Sequence, residues 1–284
     1  MSDPLVSVVL PVFNGARELP QQLVALSEQD YTGRWEVVVA DNGSTDATFS
    51  VAAAHKDLLP NMRVVDVSVR RGGAAACNQG IEAAAGDLIA LCDHDDVVAP
   101  DWLSSLVEAA QTADLVVGSF VLFSDDGEIE VSTAGGDPKG SLDFLPYGLS
   151  SNMLMRRDLH VALQGFDESF VAAYDLDLCF RAQISGARFR NVPGAQVRKR
   201  RREDARGAFQ QHRTYGRHDV RLYEKHRTAG LRPRPALAVK TWAWILVNLA
   251  LVARPHIAQR RWLRVAGHAV GRLEGSLRAR VFFP

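Results

Sequence analysis

Four polar clusters, each placed directly after an apolar run, hold the residues of this 284-residue chain best suited to chemistry. The first is Pro11-Val12-Phe13-Asn14-Gly15, and the second is Asp41-Asn42-Gly43-Ser44-Thr45-Asp46. Arg70-Arg71-Gly72-Gly73 and Asp93-His94-Asp95-Asp96 are the third and fourth. The fourth is the sharpest. Three carboxylates within four residues repel one another strongly in a partly buried cleft. A hard divalent cation relieves that repulsion. Carboxylate oxygens suit Mg2+ or Mn2+, and phosphate oxygens usually complete the shell. A helix N-cap accounts for Asp95 or Asp96 singly, and not for three carboxylates together. His94, between two alternating Asp positions, is expected to point the other way.

The elements that position these clusters alternate strand and helix. Strands are expected over 5–12, 35–40, 63–69, 87–92 and 115–123. Helices are expected over 17–28, 45–55 (opened by Ser44 or Thr45 as cap), 73–85 and 100–110, where Pro100 lies near the start. Continuous Val, Ile and Leu strands separated by helices imply an α/β fold with a mostly parallel sheet covered on both faces. In such open sheets ligands bind at the carboxyl ends of the strands, where all four clusters fall. Residues 124–150, rich in Gly and Asp, are expected to form hairpins and loops over a cleft. A strand over 151–155, helices over 158–163 and 175–184, a short strand over 189–192 and a long helix over 204–226 complete the pattern.

Composition bounds the rest. The three cysteines are scattered, without a Cys-x-x-Cys pair, which argues against a disulfide framework or structural zinc site and for a reducing compartment. The N-terminus lacks the basic and apolar regions of a signal peptide. Net charge is zero, yet residues 1–186 hold 10 Lys and Arg against 28 Asp and Glu, while residues 187–284 hold 23 against 5. A basic block of that kind either meets an anionic partner or folds back on the acidic body. Residues 241–253 are apolar almost throughout. They are too short for a membrane span, which needs about 20 residues. With Trp242, Trp244 and the arginines at 254, 260, 261 and 264 they suit an interfacial helix on an anionic leaflet, or else a buried helix in an accessory bundle.

The four clusters, together with Gly73-Ala74-Ala75-Ala76-Cys77-Asn78-Gln79-Gly80, come in an order and spacing that resembles family 2 glycosyltransferases of the GT-A fold. The resemblance covers roughly residues 5–230. It implies a GT-A domain over 1–230, with a nucleotide-binding half (1–123) and an acceptor-binding half (124–230), followed by a basic amphipathic helical tail (231–284). It implies a nucleoside diphosphate sugar as donor and Mn2+ or Mg2+ as cofactor. Asp41 would bind the nucleotide base, with Pro11, Phe13, Asn14, Gly43 and Ser44 around it. Asp93 would face the ribose, and Asp95 would carry the metal. Arg71 and Asn78 would approach the diphosphate or the sugar, with a solvated surface charge the alternative for Arg71.

Further on, Tyr174-Asp175-Leu176-Asp177-Leu178-Cys179-Phe180-Arg181 is similar to the family's Glu-Asp-x-Asp-Leu-x-x-Arg segment, with Tyr174 in place of the Glu. Asp175 falls on the family's catalytic base, and an inverting transfer needs such a carboxylate to take the acceptor proton. Asp177 is expected to pair with Arg181. Many relatives carry a metal-binding His near residues 197–202. Here Arg198-Lys199-Arg200-Arg201-Arg202 has none, so either metal affinity is expected to be weaker or an Arg is expected to take over charge neutralisation of the diphosphate. Only Gln210 and Arg213 match the Gln-x-x-Arg-Trp of processive synthases, which implies a non-processive enzyme.

The expectation is therefore an inverting glycosyltransferase acting on a saccharide or lipid-linked envelope acceptor, cytoplasmic and peripheral on the inner face of the membrane, with no nucleic acid partner. A small soluble acceptor is the alternative. A sugar-nucleotide pyrophosphorylase or a nucleic-acid-binding protein fits less well: the first lacks its Gly-rich Arg and Lys signature, and the second suits the acidic N-terminal half poorly.

Overall fold

The computed structural model describes residues 4–59, 61–123, 129–132, 142–200, 205–253 and 257–284. The chain divides into two compact units, Met1–Asp137 with Leu145–Arg201, and Pro138–Phe144 with Arg202–Pro284. The expected boundary at 230 differs from this division. The long helix before it, α7 (Ala205–His226), packs along α9 (Ile257–Ala279) and so belongs with the tail.

The first unit is a mixed sheet with strand order β3-β2-β1-β4-β8-β6-β9-β5, in which β7 pairs with β6. Its parallel side is built from β1 (Val6–Val12), β2 (Trp35–Asp41), β3 (Met62–Asp66) and β4 (Leu88–Cys92). β1 and β4 are almost wholly apolar and buried on both faces, as parallel strands covered by helices must be. Helices α1 (Leu19–Ser27), α2 (Thr48–Ala54), α3 (Gly73–Ala83) and α4 (Trp102–Ala110) supply the cover. α2 starts three residues later than expected, and neither Ser44 nor Thr45 caps it. Both side chains are engaged with neighbouring loops instead.

The other side is where the sheet stops being parallel. β8 (Asn152–Arg156) enters antiparallel between β4 and β6 (Leu115–Phe123). β7 (Ile129–Ser132) forms a hairpin on β6, and the Gly- and Asp-rich stretches at 124–128 and 133–141 lie outside the described residues. β9 runs Phe189–Arg200, far beyond the short strand expected, because the ladder continues past Pro193-Gly194 with a register shift opposite Gly118 and Ser119. Buried Asn152 fills that irregularity. Its amide donates to the Ser119 and Ala195 carbonyls (2.8 and 2.9 Å), and its oxygen accepts the Trp102 indole N–H (2.9 Å). The two-residue β5 (Val97–Val98) then pairs with β9 directly beyond the acidic cluster. Helices α5 (Arg157–Ala162) and α6 (Tyr174–Ile184) complete the unit.

In the second unit α7 and α9 meet along glycines, and α8 (Pro235–Val247) packs on α9. Glu274 binds Arg213 and Arg217, while buried Asp219 accepts from Arg272 Nε (2.9 Å) and Nη2 (2.6 Å) and lies 3.0 Å from His268 Nε2. Burial alone would raise the Asp219 carboxyl; His268 and Arg272 outweigh it and hold it low. Trp242, Trp244 and Trp262 pack around Ile245, Ala266 and Ala269, so these aromatics help build the unit's own core. Leu246 and Val247 nevertheless stand 70% and 83% exposed. Among the described residues no helix is long and apolar enough to cross a membrane.

Candidate active site

The register of β1 on β2 sets Val12 opposite Asp41, which brings the first two loops together. Asn14, in the left-handed region at φ 53°, laces them. Its backbone N–H donates to Ser44 Oγ (2.9 Å), and its side-chain oxygen accepts the Thr45 N–H (2.8 Å). Ser44 in turn donates both its N–H (2.9 Å) and its hydroxyl (2.6 Å) to Asp41 Oδ1. The Asp41 carboxylate is therefore buried and oriented at the end of its strand. Pro11 is half-buried beside it, and Phe13 is 51% exposed.

The third loop is stapled on by Asn42. Its amide donates to the Val67 and Arg70 carbonyls (2.6 and 2.7 Å), and its oxygen accepts the Gly72 N–H (3.0 Å). That bend presents Arg71, whose Nη1 donates to the Asn42 and Gly43 carbonyls (2.8 and 3.0 Å). Gly43 has φ 79°, and a Cβ there would lie 2.5 Å from Arg71 Nη1, so only glycine lets the guanidinium close over the loop. Arg71 thus braces the Asp41–Ser44 turn.

Asn78 departs from expectation. It does not reach toward the other clusters. Its amide donates to the Phe166 carbonyl and Glu168 Oε1 (both 2.9 Å), and its oxygen accepts the Phe166 N–H (2.9 Å) with His160 Nε2 at 3.2 Å. A buried amide so fully engaged holds the Gly165-Phe166-Asp167 turn. Asn78→Ala is expected to cost about 2–3 kcal/mol of stability by orphaning those groups, with nucleotide affinity within twofold of wild type. Denaturant titration and a nucleotide titration check both halves. A large affinity loss at unchanged stability would restore a donor role.

After β4, the carboxylate oxygens of Asp93, Asp95 and Asp96 come within 4.8 Å of one another. His94 turns back toward β1, with Nδ1 3.3 Å from the Pro11 carbonyl. The set is all hard oxygen and electronegative in sum, which fits Mg2+ or Mn2+. A cation of the protein's own also stands there. Lys199 Nζ donates to Asp96 Oδ2 (2.8 Å), Asp93 Oδ2 (3.2 Å) and Ser151 Oγ (3.2 Å). The residue of this run that reaches the cluster is a lysine, where an arginine was expected to neutralise the diphosphate. Strand alternation could have found the lysine, since Lys199 shares a face with buried Val197 while Arg198 faces solvent. Burial raises the Asp96 carboxyl above the usual range even with Lys199 beside it. Burial works to lower the Lys199 ammonium, but Asp93 and Asp96 outweigh it and hold it charged.

Asp175 lies in the first turn of α6, behind Ala173 in the left-handed region (φ 62°). Its Oδ2 accepts the Ser150 N–H (3.2 Å) and its Oδ1 the Leu176 N–H (3.0 Å). Burial pushes its carboxyl up to about 6 against the pull of those two N–H groups, and the charge of Asp93 adds to the rise. Tyr174, in the Glu position, meets Ser150 Oγ at 3.4 Å and stacks edge-on with Phe166. Asp177 is fully buried and pairs with Arg181 (2.7 Å). The structure thus groups Asp41 with its loop and Asp93, Asp95 and Asp96 with Lys199, sets Asp175 within reach of the Asp93 charge, and leaves Asn78 to the Phe166 turn.

Comparison with known proteins agrees with this geometry. The glycosyltransferase AglE of Haloferax volcanii is 28% identical over 190 residues, which cover 64% of this chain and 62% of that protein. The amylovoran biosynthesis glycosyltransferase AmsB of Erwinia amylovora is 28% identical over 204 residues, covering 66% and 67%. The chain thus spans less than two thirds of AglE's length. A Pyrobaculum calidifontis mannosyltransferase, solved with GDP-Man and Mn2+, superposes with a TM-score of 0.71 over 97% of this chain and 88% of that one, at 21% identity. That likeness establishes the GT-A fold. The model of "Glycosyl transferase family 2" matches residues 7–158, over half of the chain. Because that match takes in all four strand-end loops from Pro11 to Asp96, the chain belongs to glycosyl transferase family 2.

Proposed function

We propose that the chain is an inverting, metal-dependent glycosyltransferase that moves a sugar from a nucleoside diphosphate sugar to an acceptor hydroxyl, in the synthesis of a cell-envelope polysaccharide or glycolipid. One observation carries the reading. Asp175, buried and raised to about 6, stands close enough to the acidic cluster to feel Asp93. A carboxylate of that strength is ionised at neutral pH and still basic enough to take a hydroxyl proton.

Asp41, fixed through Oδ1 by Ser44, accepts from a base N–H, and Pro11 and Phe13 line the base. Asn14, Gly43 and Ser44 shape that loop, and Arg71 holds it closed. Asp93 faces the ribose. Asp95, with Asp93 and Asp96 beside it, would hold Mg2+ or Mn2+, which when bound offsets the charge of the departing diphosphate. Asp175 takes the proton as the acceptor oxygen attacks the anomeric carbon from the face opposite the diphosphate, so the configuration inverts.

AmsB, by name an amylovoran biosynthesis glycosyltransferase, supports a biosynthetic transfer of sugar. Exposed Leu246 and Val247, with Arg260 and Arg261 further along the same tail, support peripheral contact of residues 231–284 with an anionic membrane on its inner face. The test is a thermal-shift panel of UDP-, dTDP- and GDP-sugars with and without Mn2+. The mannosyltransferase solved with GDP-Man puts guanosine donors in it. At least one donor is expected to raise Tm by several degrees with Mn2+ present. No stabilisation by any of them sinks the proposal.

A further inference from the structure

We propose that Lys199 is the built-in counter-charge of the donor site: it weakens divalent metal binding to the donor-free site and takes over part of the metal's work on the diphosphate. The inference rests on the reading that the Asp93, Asp95, Asp96 cluster takes metal and diphosphate, and it goes beyond that reading by assigning a residue of β9 to the site.

The geometry is that of a cation in a built seat. The ammonium has three N–H donors and meets three acceptors, Asp93, Asp96 and Ser151. Phe120 lies beneath it, with Nζ 5.6 Å from the ring centroid. β9 delivers it through an unbroken pairing of Lys199 with Leu122 on one side, while β5 pairs with Val197 and Arg198 on the other. Asp96 has a side chain 1% exposed, and a cation against it offsets the cost of burying its charge. Lys199 is 28% exposed, so its field reaches the open side of the cluster.

The consequence follows from charge. Three carboxylates carry −3 formally, and the ammonium brings the group to −2. A divalent ion entering the donor-free site is repelled by Lys199 and must share Asp93 with it. A diphosphate entering without metal meets one fixed positive charge and a smaller negative field than a neutral side chain at 199 would leave. Metal and Lys199 thus divide the neutralisation of the diphosphate.

The test is Mn2+ titration of the donor-free protein by electron paramagnetic resonance at pH 8, paired with titration in excess EDTA of GDP, UDP and dTDP, taking whichever binds wild type. Lys199→Met, neutral and a poor ligand for a hard cation, is expected to bind Mn2+ at least tenfold tighter than wild type and the nucleotide in EDTA at least tenfold more weakly. Lys199→Arg, which keeps the charge, is expected to stay within threefold on both. Mn2+ bound equally by wild type and Lys199→Met overturns the inference and leaves the metal reading standing. Mn2+ bound by neither overturns both. Wild type supplies an arm that needs no variant to fold: its nucleotide Kd in EDTA is expected within thirtyfold of the value with Mn2+, and a larger loss overturns the proposal.

Discussion

Asp175→Asn is expected to slow sugar transfer by about 10^2–10^4-fold while making the fold more stable. The two effects share a cause. Folding moves the Asp175 carboxyl from its ordinary 3.8 to about 6, chiefly by burial, so the folded chain binds that proton more tightly than the unfolded one. At neutral pH the group is ionised in both states, so its burial opposes folding. A rise of that size corresponds to roughly 3 kcal/mol. Asparagine removes the charge but offers one acceptor where the Ser150 and Leu176 N–H groups now find two, which returns about 1 kcal/mol.

The variant is therefore expected to be about 1–2 kcal/mol more stable at pH 7.5 by urea denaturation. The gap should close as pH falls through 6 toward 4, where wild type takes up its proton. Donor affinity should stay within threefold, and wild-type kcat/KM should fall about tenfold per pH unit below 6. A less stable variant at pH 7.5 would show that the carboxylate is better compensated than its surroundings indicate. Retained turnover would move the base elsewhere.

Gly271→Leu is expected to have the largest effect on stability. Gly267, Gly271 and Gly275 recur every four residues along α9 and so share one face, on which a Cβ at 271 would be driven into the Arg213 carbonyl of α7. Gly216 on α7 faces back in the same way, toward the His268 carbonyl. The backbones meet with no side chain between them, so an added leucine cannot be absorbed by a rotamer change. The helices must part, and Glu274 would then separate from Arg213 and Arg217, and Asp219 from Arg272 and His268.

The expected cost is about 3 kcal/mol or more, at the upper end for overpacking, because a buried carboxylate loses its partners as well. Hydrogen exchange should show α7 and α9 amides losing protection while those of β1, β2 and β4 keep theirs. Leu277→Ala, at a side chain 71% exposed on the same helix, should change stability by less than about 0.5 kcal/mol. Equal protection of α7 in wild type and Gly271→Leu would refute the close-packed arrangement.

Much of the parallel half was readable because its signals are local. Runs such as Val8-Val9-Leu10 and Val37-Val38-Val39, short and β-branched, favour doubly buried strands, and the polar residues that stop each run then lie at the strand end. The four loops, from Pro11 to Asp96, followed from that rule together with the spacing of the family motifs. The tail was legible only as basic and apolar. Nothing in its composition shows that Trp242 and Trp244 of α8 join Trp262 of α9 in one core or that α7 belongs to the same unit.

By itself, then, the amino-acid sequence determined the parallel strands, the acidic cluster and the Tyr174–Arg181 segment, since propensity, periodicity and motif spacing act over a few residues. The tertiary structure decided three things that depend on residues far apart. β8 slips antiparallel between β4 and β6, a choice made by which edges lie open. Asn78 turns to Phe166, 88 positions on, because buried amides go to the nearest unsatisfied backbone. Lys199 reaches Asp93 across 106 positions because β9 continues through its Pro193-Gly194 irregularity, and a buried carboxylate selects whichever cation the fold brings to it.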